Sequence, residues 1–239
     1  MTVEMREQRK LPTWQPADRR VQLIEVGVIL FLIVPSMGMS FFVHQRHLNF
    51  TVTAVSVMLS DLALLSLVRY LIWRNGEPVH QIGWTFTHPW REIGWGVLLF
   101  LPVLVGTTLL EQVLHALGLS TPTKLPSFLQ VTGVGQILLA LLLVTIVAVV
   151  EETVFRSYLL LRFTAVMGRT SVAVVVSAAI FALGHGYEGS AGLVSIFVVG
   201  IAFACIYLWR QSLTAPIVIH FLIDFVGIIF VALEKQAGG

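Results

Sequence analysis

The sequence predicts an all-α fold: a polytopic transmembrane bundle of about seven or eight helices with a polar site inside the membrane. Three observations carry this prediction. The chain of 239 residues is 56% hydrophobic and only 12% charged, whereas soluble domains have about 25% charged residues. Its mean hydropathy is +0.87. Several apolar runs also reach the roughly 20 residues that an α-helix needs to cross a bilayer.

The apolar runs divide the chain into seven predicted spans, of which the fifth is short and the fourth is unusually long. They cover residues 21–43, 50–73, 93–117, 131–163, 171–185, 191–209 and 213–233. The length of the fourth run leaves room for a separate surface segment at its start, and an eighth, re-entrant piece stays open. We accordingly divide the chain into a polar cytoplasmic tail (1–20), N-terminal transmembrane helices (21–129) and a core (130–233).

The distribution of Lys and Arg predicts the orientation. With the N-terminus in the cytoplasm, nine of these residues fall on the inner side and three on the outer side. The inner set is Arg6, Arg9, Lys10, Arg19, Arg20, Arg74, Arg91, Arg169 and Arg210, and the outer set is Arg46, Lys124 and Lys235. Because cytoplasmic loops carry the excess of basic residues, we expect seven spans with the C-terminus outside.

Charge and cysteine content argue against a nucleic-acid-binding surface, an intrachain disulfide and a zinc finger. The net charge is only +2, and no basic run is interleaved with aromatic residues, so nucleic acid is not an expected partner. The single cysteine, Cys205, lies in an apolar run. One cysteine cannot form an intrachain disulfide, and no Cys/His spacing typical of a zinc finger is present.

Charged and polar residues at membrane depth are the strongest functional signal. Each charged side chain there costs about 2.5 to 3.5 kcal/mol on insertion scales, so it needs a partner or a water-filled cavity. The C-terminal half concentrates such residues on three predicted spans. They are Glu151, Glu152 and Arg156 on the fourth span, His185 at the end of the fifth, and His220 and Asp224 on the seventh.

Spacing along a helix divides these residues between roles. Glu152 and Arg156 are four residues apart and share a helix face, which favours a structural ion pair. His220 and Asp224 also share a face. Glu151 points about 100° away from Glu152, so it is free to face a neighbouring helix. Either histidine alone is as readily a packed residue as a functional one, but the whole cluster favours a site.

Three short motifs in this order resemble the CPBP family. Residues 151–156 read EExxxR, residues 181–185 read FxxxH from Phe181 to His185, and residues 220–224 read HxxxD. The family includes the type II CAAX prenyl endopeptidases, the Abi proteins and the bacteriocin-processing enzymes. The resemblance covers residues 130 to 233 and does not extend to the first three spans.

The resemblance implies an intramembrane protease. It assigns the activation of a water molecule to Glu151 and His185, and a site for the oxyanion or for a metal to His220 and Asp224. Many family members have Asn at the last position; the extra negative charge of Asp224 favours metal ligation or orientation of His220. Site support then comes from the three remaining motif residues, which are Glu152, Arg156 and Phe181.

The cofactor stays open at this stage. A divalent metal such as zinc would be held by Glu151, His185, His220 and Asp224, because His and carboxylate side chains are zinc ligands. A mechanism driven by glutamate alone needs no metal. The sequence contains no HExxH, which excludes the zincin arrangement.

The expected partners are the lipid bilayer and a peptide or membrane-anchored protein substrate, of the CAAX type or a leader or pheromone precursor. The expected location is the plasma membrane of a prokaryote. Two alternatives are a proton-coupled transporter, since buried Glu, His and Asp also form proton relays, and a catalytically idle immunity or scaffold protein. No internal repeat of the kind common in transporters is evident.

Four further acidic residues are predicted to have ordinary roles. Glu25, Asp61 and Glu111 lie in apolar runs, and we expect them to make helix-packing contacts, with His115 as a candidate partner for Glu111. Glu188 follows His185 closely, which is compatible with a place in the site, but a position in a solvated loop is favoured.

Overall fold

The computed structural model describes residues 18–42, 48–85, 87–122, 126–230 and 232–233. These residues form seven long helices and no strand, which confirms the predicted all-α fold. The helices are α1 (Arg19–Ser40), α2 (Phe50–Arg74), α3 (Pro89–Ala116), α4 (Val134–Met167), α5 (Thr170–Leu183), α6 (Gly189–Arg210) and α7 (Thr214–Phe230). Single turns of 3₁₀-helix at Val79–Ile82, Ser127–Leu129 and Gly186–Glu188 lie between them.

Helix length and composition fit an integral membrane protein. Among the described residues, five helical segments are long and apolar enough to cross a bilayer: α1, α2, α3, α4, and α6 together with the turn before it. Helices α5 and α7 are apolar but shorter. The 14 residues of α5 extend about 21 Å at 1.5 Å per residue, which is less than the roughly 30 Å hydrocarbon layer.

Local sequence determines where the helices begin and end. The side chain of Asp18 accepts a hydrogen bond from the backbone N–H of Arg20 at the start of α1, and Asn49 caps α2 in the same way. These residue types are the preferred N-caps. Helix α4 ends at Gly168, whose φ of 70° is left-handed, a conformation that glycine adopts without strain.

Two helices change their hydrogen-bonding pattern beside the motif residues. Helix α4 is α-helical up to Glu151 and continues as a π-helix through Glu152–Leu159. Helix α7 is α-helical up to Asp224 and ends in the π-helical turn Phe225–Phe230. π-Helical segments are rare and often mark functional sites, and here each begins immediately after an acidic motif residue.

The helices pack around the C-terminal half of the chain. Helix α3 lies against α7 and α6, α5 against α6, and α2 against α4. Glycine permits the closest approach: a Cβ atom at Gly96 would lie 2.6 Å from the Cβ of Val218, so a larger residue would force α3 and α7 apart.

A buried polar network joins α1, α2 and α4. Its members, which we call the Glu25 network, are Glu25, Arg74, Asn75, Glu77, Tyr158 and Arg162. Glu25 accepts hydrogen bonds from Arg74 (2.7 Å), Asn75 (2.7 Å), Tyr158 (2.8 Å) and Arg162 (2.9 Å). The predicted helix-packing role of Glu25 is therefore confirmed.

The guanidinium of Arg162 is the centre of this network. It also donates two hydrogen bonds to Glu77, at 2.6 and 3.1 Å, so it binds one carboxylate from α1 and one that follows α2. Its side chain is only 1% exposed. The network is thus a helix-joining contact that holds the first two helices to α4.

The predicted polar tail lies almost entirely outside the described residues, and so do Arg46, Lys124 and Lys235. The cytoplasmic N-terminus therefore stays a prediction. The division into 1–20, 21–129 and 130–233 stays one as well.

Candidate active site

The motif residues of three separate chain segments meet at one cavity of about 680 Å³. Glu151 comes from α4, His185 from the turn after α5, and His220 and Asp224 from α7. Phe181 of α5 also lines the cavity. The structure therefore brings together all four residues that the resemblance assigns to catalysis.

The imidazole of His220 is held between three carboxylates. Its Nδ1 lies 2.7 Å from Oε1 of Glu152, and because a carboxylate accepts, Nδ1–H is the donor. On the other side of the ring, Nε2 lies 3.8 Å from Oε2 of Glu151 and 3.5 Å from Oδ2 of Asp224. The first contact fixes the ring, and the second nitrogen is presented to Glu151 and Asp224.

Glu152 and Arg156 form the ion pair that their spacing predicts. The Arg156 Nε lies 3.1 Å from Oε2 of Glu152, and the two side chains are 2% and 0% exposed. The guanidinium carbon also lies 3.9 Å from the centre of the Phe181 ring and 5.2 Å from that of Phe203, which are cation–π contacts. Glu152 thus has a second partner that the sequence does not indicate, namely His220.

His185 is positioned by backbone contacts rather than by a carboxylate. Its Nδ1 lies 3.1 Å from the carbonyl oxygen of Phe181, and since a carbonyl only accepts, Nδ1 carries the hydrogen. A neutral ring then has Nε2 as its free acceptor. The ring packs against Phe181 at 4.8 Å and against Tyr187 at 5.9 Å between centroids.

Helix α1 fixes the turn that carries His185. The Ser40 hydroxyl accepts a hydrogen bond from the backbone N–H of Gly186 at 3.1 Å and lies 3.0 Å from the carbonyl oxygen of Leu183. A Cβ at Gly186 would come within 2.6 Å of the Phe41 ring. Glycine at position 186 therefore allows Phe41, which directly follows α1, to pack closely against this turn.

The cavity also contains acidic residues for which the sequence analysis predicted ordinary roles. Asp61 of α2, Glu111 of α3 and Glu188 all line it. The predicted contact between Glu111 and His115 is not among the hydrogen bonds of His115, whose ring contacts the carbonyl oxygen of Leu119 and the hydroxyl of Thr121 instead. Glu188 is partly buried in the cavity wall, not in a solvated loop.

One signal in the sequence could have identified Asp61. It is an isolated carboxylate near the middle of an apolar run, and the insertion cost that singles out Glu151 applies to it equally. Glu188 and Glu111 carry no comparable signal, because each lies near the end of an apolar run.

The cavity residues were tested for their fit to a divalent metal. Both histidines hold Nδ1 against an acceptor and leave Nε2 available, as metal-bound histidines do. In the described part of the chain, however, no three His, Cys, Asp or Glu side chains are placed so that they could share one ion. The side chains as arranged do not form a metal-ligand shell, and we assign no chemical step to a metal.

Residues 133–226 match the Rce1-like family model, whose description is type II CAAX prenyl endopeptidase Rce1-like. The resemblance predicted from the three motifs is therefore confirmed, and the matched residues contain every motif position. Helices α1 to α3 lie outside the Rce1-like segment. Comparisons with curated proteins and with solved structures gave no match.

Proposed function

We propose that the protein is an intramembrane endopeptidase that hydrolyses a peptide bond in a membrane-associated peptide or protein. One observation carries the proposal: within an Rce1-like segment, His220 is held by Glu152 so that Nε2 lies opposite Glu151 and Asp224 on the wall of a cavity. A base, an orienting carboxylate and a proton donor are thereby close to one another, as peptide hydrolysis requires.

Glu151 is the proposed base. Its carboxylate lies in the cavity wall, and its buried Oε2 has no hydrogen-bond partner among the described residues, so it lacks the partner that a bound water molecule would supply. Glu151 takes one proton from that water, and the oxygen attacks the carbonyl carbon of the substrate. His185, with Nε2 free, is placed to accept the second hydrogen of the water and so to orient it.

His220 is the proposed donor to the oxyanion. Since Nδ1–H is engaged with Glu152, a second ring proton would lie on Nε2, on the side of Glu151 and Asp224. That proton can hydrogen-bond the tetrahedral oxygen. Asp224 then orients the ring, and Glu151 returns its proton to the nitrogen of the leaving amine as the carbon–nitrogen bond breaks, which completes the addition of one water.

The proposed substrate is of the CAAX type, or a leader or pheromone precursor anchored to the membrane. The cavity volume of about 680 Å³ falls in the range of ligand-binding pockets, about 300 to 1,000 Å³, and is large enough for the residues around a scissile bond. We further propose that the protein lies in the plasma membrane of a prokaryote with its N-terminus in the cytoplasm.

The first test uses the purified protein in liposomes and a synthetic S-farnesylated peptide that ends in a CAAX sequence. Mass spectrometry of the products measures cleavage. We expect the wild type to release the three C-terminal residues and Glu151→Gln to release none. The matched control is Glu111→Gln, which removes a different carboxylate from the same cavity. Cleavage by Glu151→Gln at the wild-type rate would contradict the proposal, and proton flux without cleavage would favour a transporter.

Metal dependence is a separate measurement on the same material. Elemental analysis and chelator treatment of active protein decide it. The glutamate mechanism predicts full activity in metal-free protein. Loss of activity on chelation, with recovery on addition of zinc, would assign the activation of water to a metal instead.

A further inference from the structure

Asp61 carries a buried carboxylate oxygen that has no partner in the part of the chain that the structure describes. The residue lies on α2 and lines the same cavity as Glu151 and His220. Its Oδ2 is inaccessible to solvent and has no hydrogen-bond partner among the described residues. Asp61 is also close enough to Glu151 and to His220 to interact electrostatically with both. It therefore lies next to the proposed chemistry without belonging to any of the three motifs.

A buried carboxylate oxygen without a donor is unfavourable, because burial removes water and the lost hydrogen bonds are not replaced. Unsatisfied groups of this kind are rare in folded proteins and call for an explanation. The described residues of the cavity wall include no Lys or Arg that could supply a charge partner.

Some hydroxyl groups of the cavity wall already have other acceptors. Three of the hydroxyls on the cavity wall donate to carbonyl oxygens of their own helices: Ser36 to Ile33, Thr107 to Val103 and Thr108 to Leu104. Their hydrogens are therefore engaged.

We propose that Asp61 is a substrate-binding residue, whose carboxylate accepts a hydrogen bond from an N–H group of the peptide close to the scissile bond. This inference rests on the proposed function, since it assigns a contact to the substrate of the same cavity. The donor is either a backbone amide or the side chain of a Lys or Arg in the substrate. Both have the chemistry that an unpaired carboxylate binds most strongly.

With Asp61 as a substrate-binding residue, the active site extends beyond the segment that matches the Rce1-like family. The residue lies on α2, outside the segment that matches the Rce1-like family. The substrate would then be held between catalytic residues of α4 and α7 and a specificity residue supplied by an N-terminal helix. Helix α2 packs against α4, and Asp61 lines the same cavity as Glu151 and Asp224.

The experiment compares Asp61→Asn and Asp61→Leu with two controls, Glu111→Gln and Ser60→Ala. Ser60 is next to Asp61 on α2 and also lines the cavity. The probes are three S-farnesylated CAAX peptides: one with a lysine next to the farnesylcysteine, one with norleucine in its place, and one with an N-methylated backbone amide at that position. Thermal melting in detergent checks that each variant is folded.

We expect both Asp61 variants to reduce kcat/KM for the lysine peptide by about 10- to 100-fold, the effect of losing a hydrogen bond to a charged group, while both controls stay within about twofold. If the donor is the lysine side chain, the wild type loses the same factor on the norleucine peptide and the Asp61 variants lose no more. If the donor is the backbone amide, the N-methylated peptide shows that pattern instead.

Binding separates this inference from the proposed function. The Kd of each peptide is measured by fluorescence on Glu151→Gln protein with and without Asp61→Asn, and this requires no turnover. Weaker binding in the double variant supports the contact even if the wild type cleaves none of the peptides. Equal Kd and equal kcat/KM with and without Asp61 would overturn the inference, and so would an equal loss in Glu111→Gln, which would reduce the effect to the charge of the cavity.

Discussion

Helix α4 takes part in two buried polar clusters that differ in how completely their groups are paired. In the Glu25 network, the two oxygens of Glu25 accept four hydrogen bonds of 2.7 to 2.9 Å. The second cluster, which we call the cavity cluster, consists of Asp61, Glu151, Glu152, Arg156, His185, His220 and Asp224. The contacts of His220 Nε2 there are 3.5 and 3.8 Å long. Among the described residues, the buried oxygens Oε2 of Glu151 and Oδ2 of Asp61 have no hydrogen-bond partner, and Glu152 and Arg156 meet as an ion pair without hydrogen-bond geometry.

The difference shows how a structural cluster can be distinguished from a functional one on the same helix. A network whose groups are all hydrogen-bonded stabilises one arrangement of the helices, and it leaves no donor or acceptor free to bind a ligand. A cluster with unpaired groups beside a cavity is less favourable in isolation, and its groups are available to a substrate and to water. Substitutions in the first should therefore change stability, and substitutions in the second should change activity.

The largest loss of activity is expected for Glu151, the proposed general base of the cavity cluster. Glu151→Gln should reduce kcat by about 1,000-fold or more, since general-base catalysis contributes about 10² to 10⁴. Its melting temperature should not fall, because the change removes a carboxylate that lacks a hydrogen bond at Oε2. Single-turnover cleavage and a thermal melt in detergent test both parts. A large drop in melting temperature would show that Glu151 stabilises the fold, as the residues of the Glu25 network do.

The centre of the Glu25 network should give the largest loss of stability. Arg162→Met leaves Glu25 and Glu77 buried without their main partner, and breaking a buried ion pair in this way destabilises by about 3 to 5 kcal/mol. The matched control is Arg169→Met, at an exposed position. Thermal melting should show the loss only for Arg162→Met. Folded Arg162→Met should keep the wild-type kcat at low temperature, and a lower kcat there would couple the network to catalysis.

Glu152 contacts both Arg156, in a structural ion pair, and His220, the proposed oxyanion donor, so its substitution should change both stability and activity. Glu152→Gln weakens the ion pair with Arg156 and changes the partner of His220 Nδ1. We expect kcat to fall by about 100-fold, together with a lower melting temperature. The informative comparison is Arg156→Met, which should lower the melting temperature by a similar amount and reduce kcat less. Equal loss of kcat in the two variants would argue against a specific role of Glu152 in orienting His220.

The smallest effect is expected for one hydrogen bond of the Glu25 network. Tyr158→Phe removes the hydroxyl that donates to Glu25 at 2.8 Å and leaves three other donors in place. The expected loss of stability is about 1 kcal/mol with unchanged kcat. Tyr70→Phe, at an exposed position on α2, is the control and should have no effect on melting. A Tyr158→Phe protein as stable as the wild type would show that the other donors compensate fully.

The sequence predicts the parts of this molecule that depend on local pattern. Apolar runs locate the helices, because span length follows from bilayer thickness. Four-residue spacing predicts the contact of Glu152 with Arg156. The contact of Glu152 with His220 joins residues 68 positions apart, and no periodicity in either helix specifies it. The four donors of Glu25 come from chain segments up to 137 positions away, so only its burial was foreseeable.

Helix geometry limited the prediction in a second way. A regular 3.6-residue turn predicts an angle of about 100° between Glu151 and Glu152, whereas the structure has a π-helix from Glu152 onward. Nothing in the residues of this segment marks the change of pattern. The cavity position of Asp61 likewise depends on which face of α2 lies against α4, a matter of tertiary packing.

The π-helical segment of α4 also determines how the two clusters are oriented relative to each other around the helix axis. Each i→i+5 turn contains one residue more than an α-helical turn, so Glu152–Leu159 rotates everything that follows it relative to what precedes it. In a regular α-helix of the same residues, Arg162 would lie only about 20° from the direction of Glu151, because eleven residues at 100° each complete three turns and 20° more. The π-helical turns change that direction, so Glu151 faces the cavity while Arg162 faces Glu25.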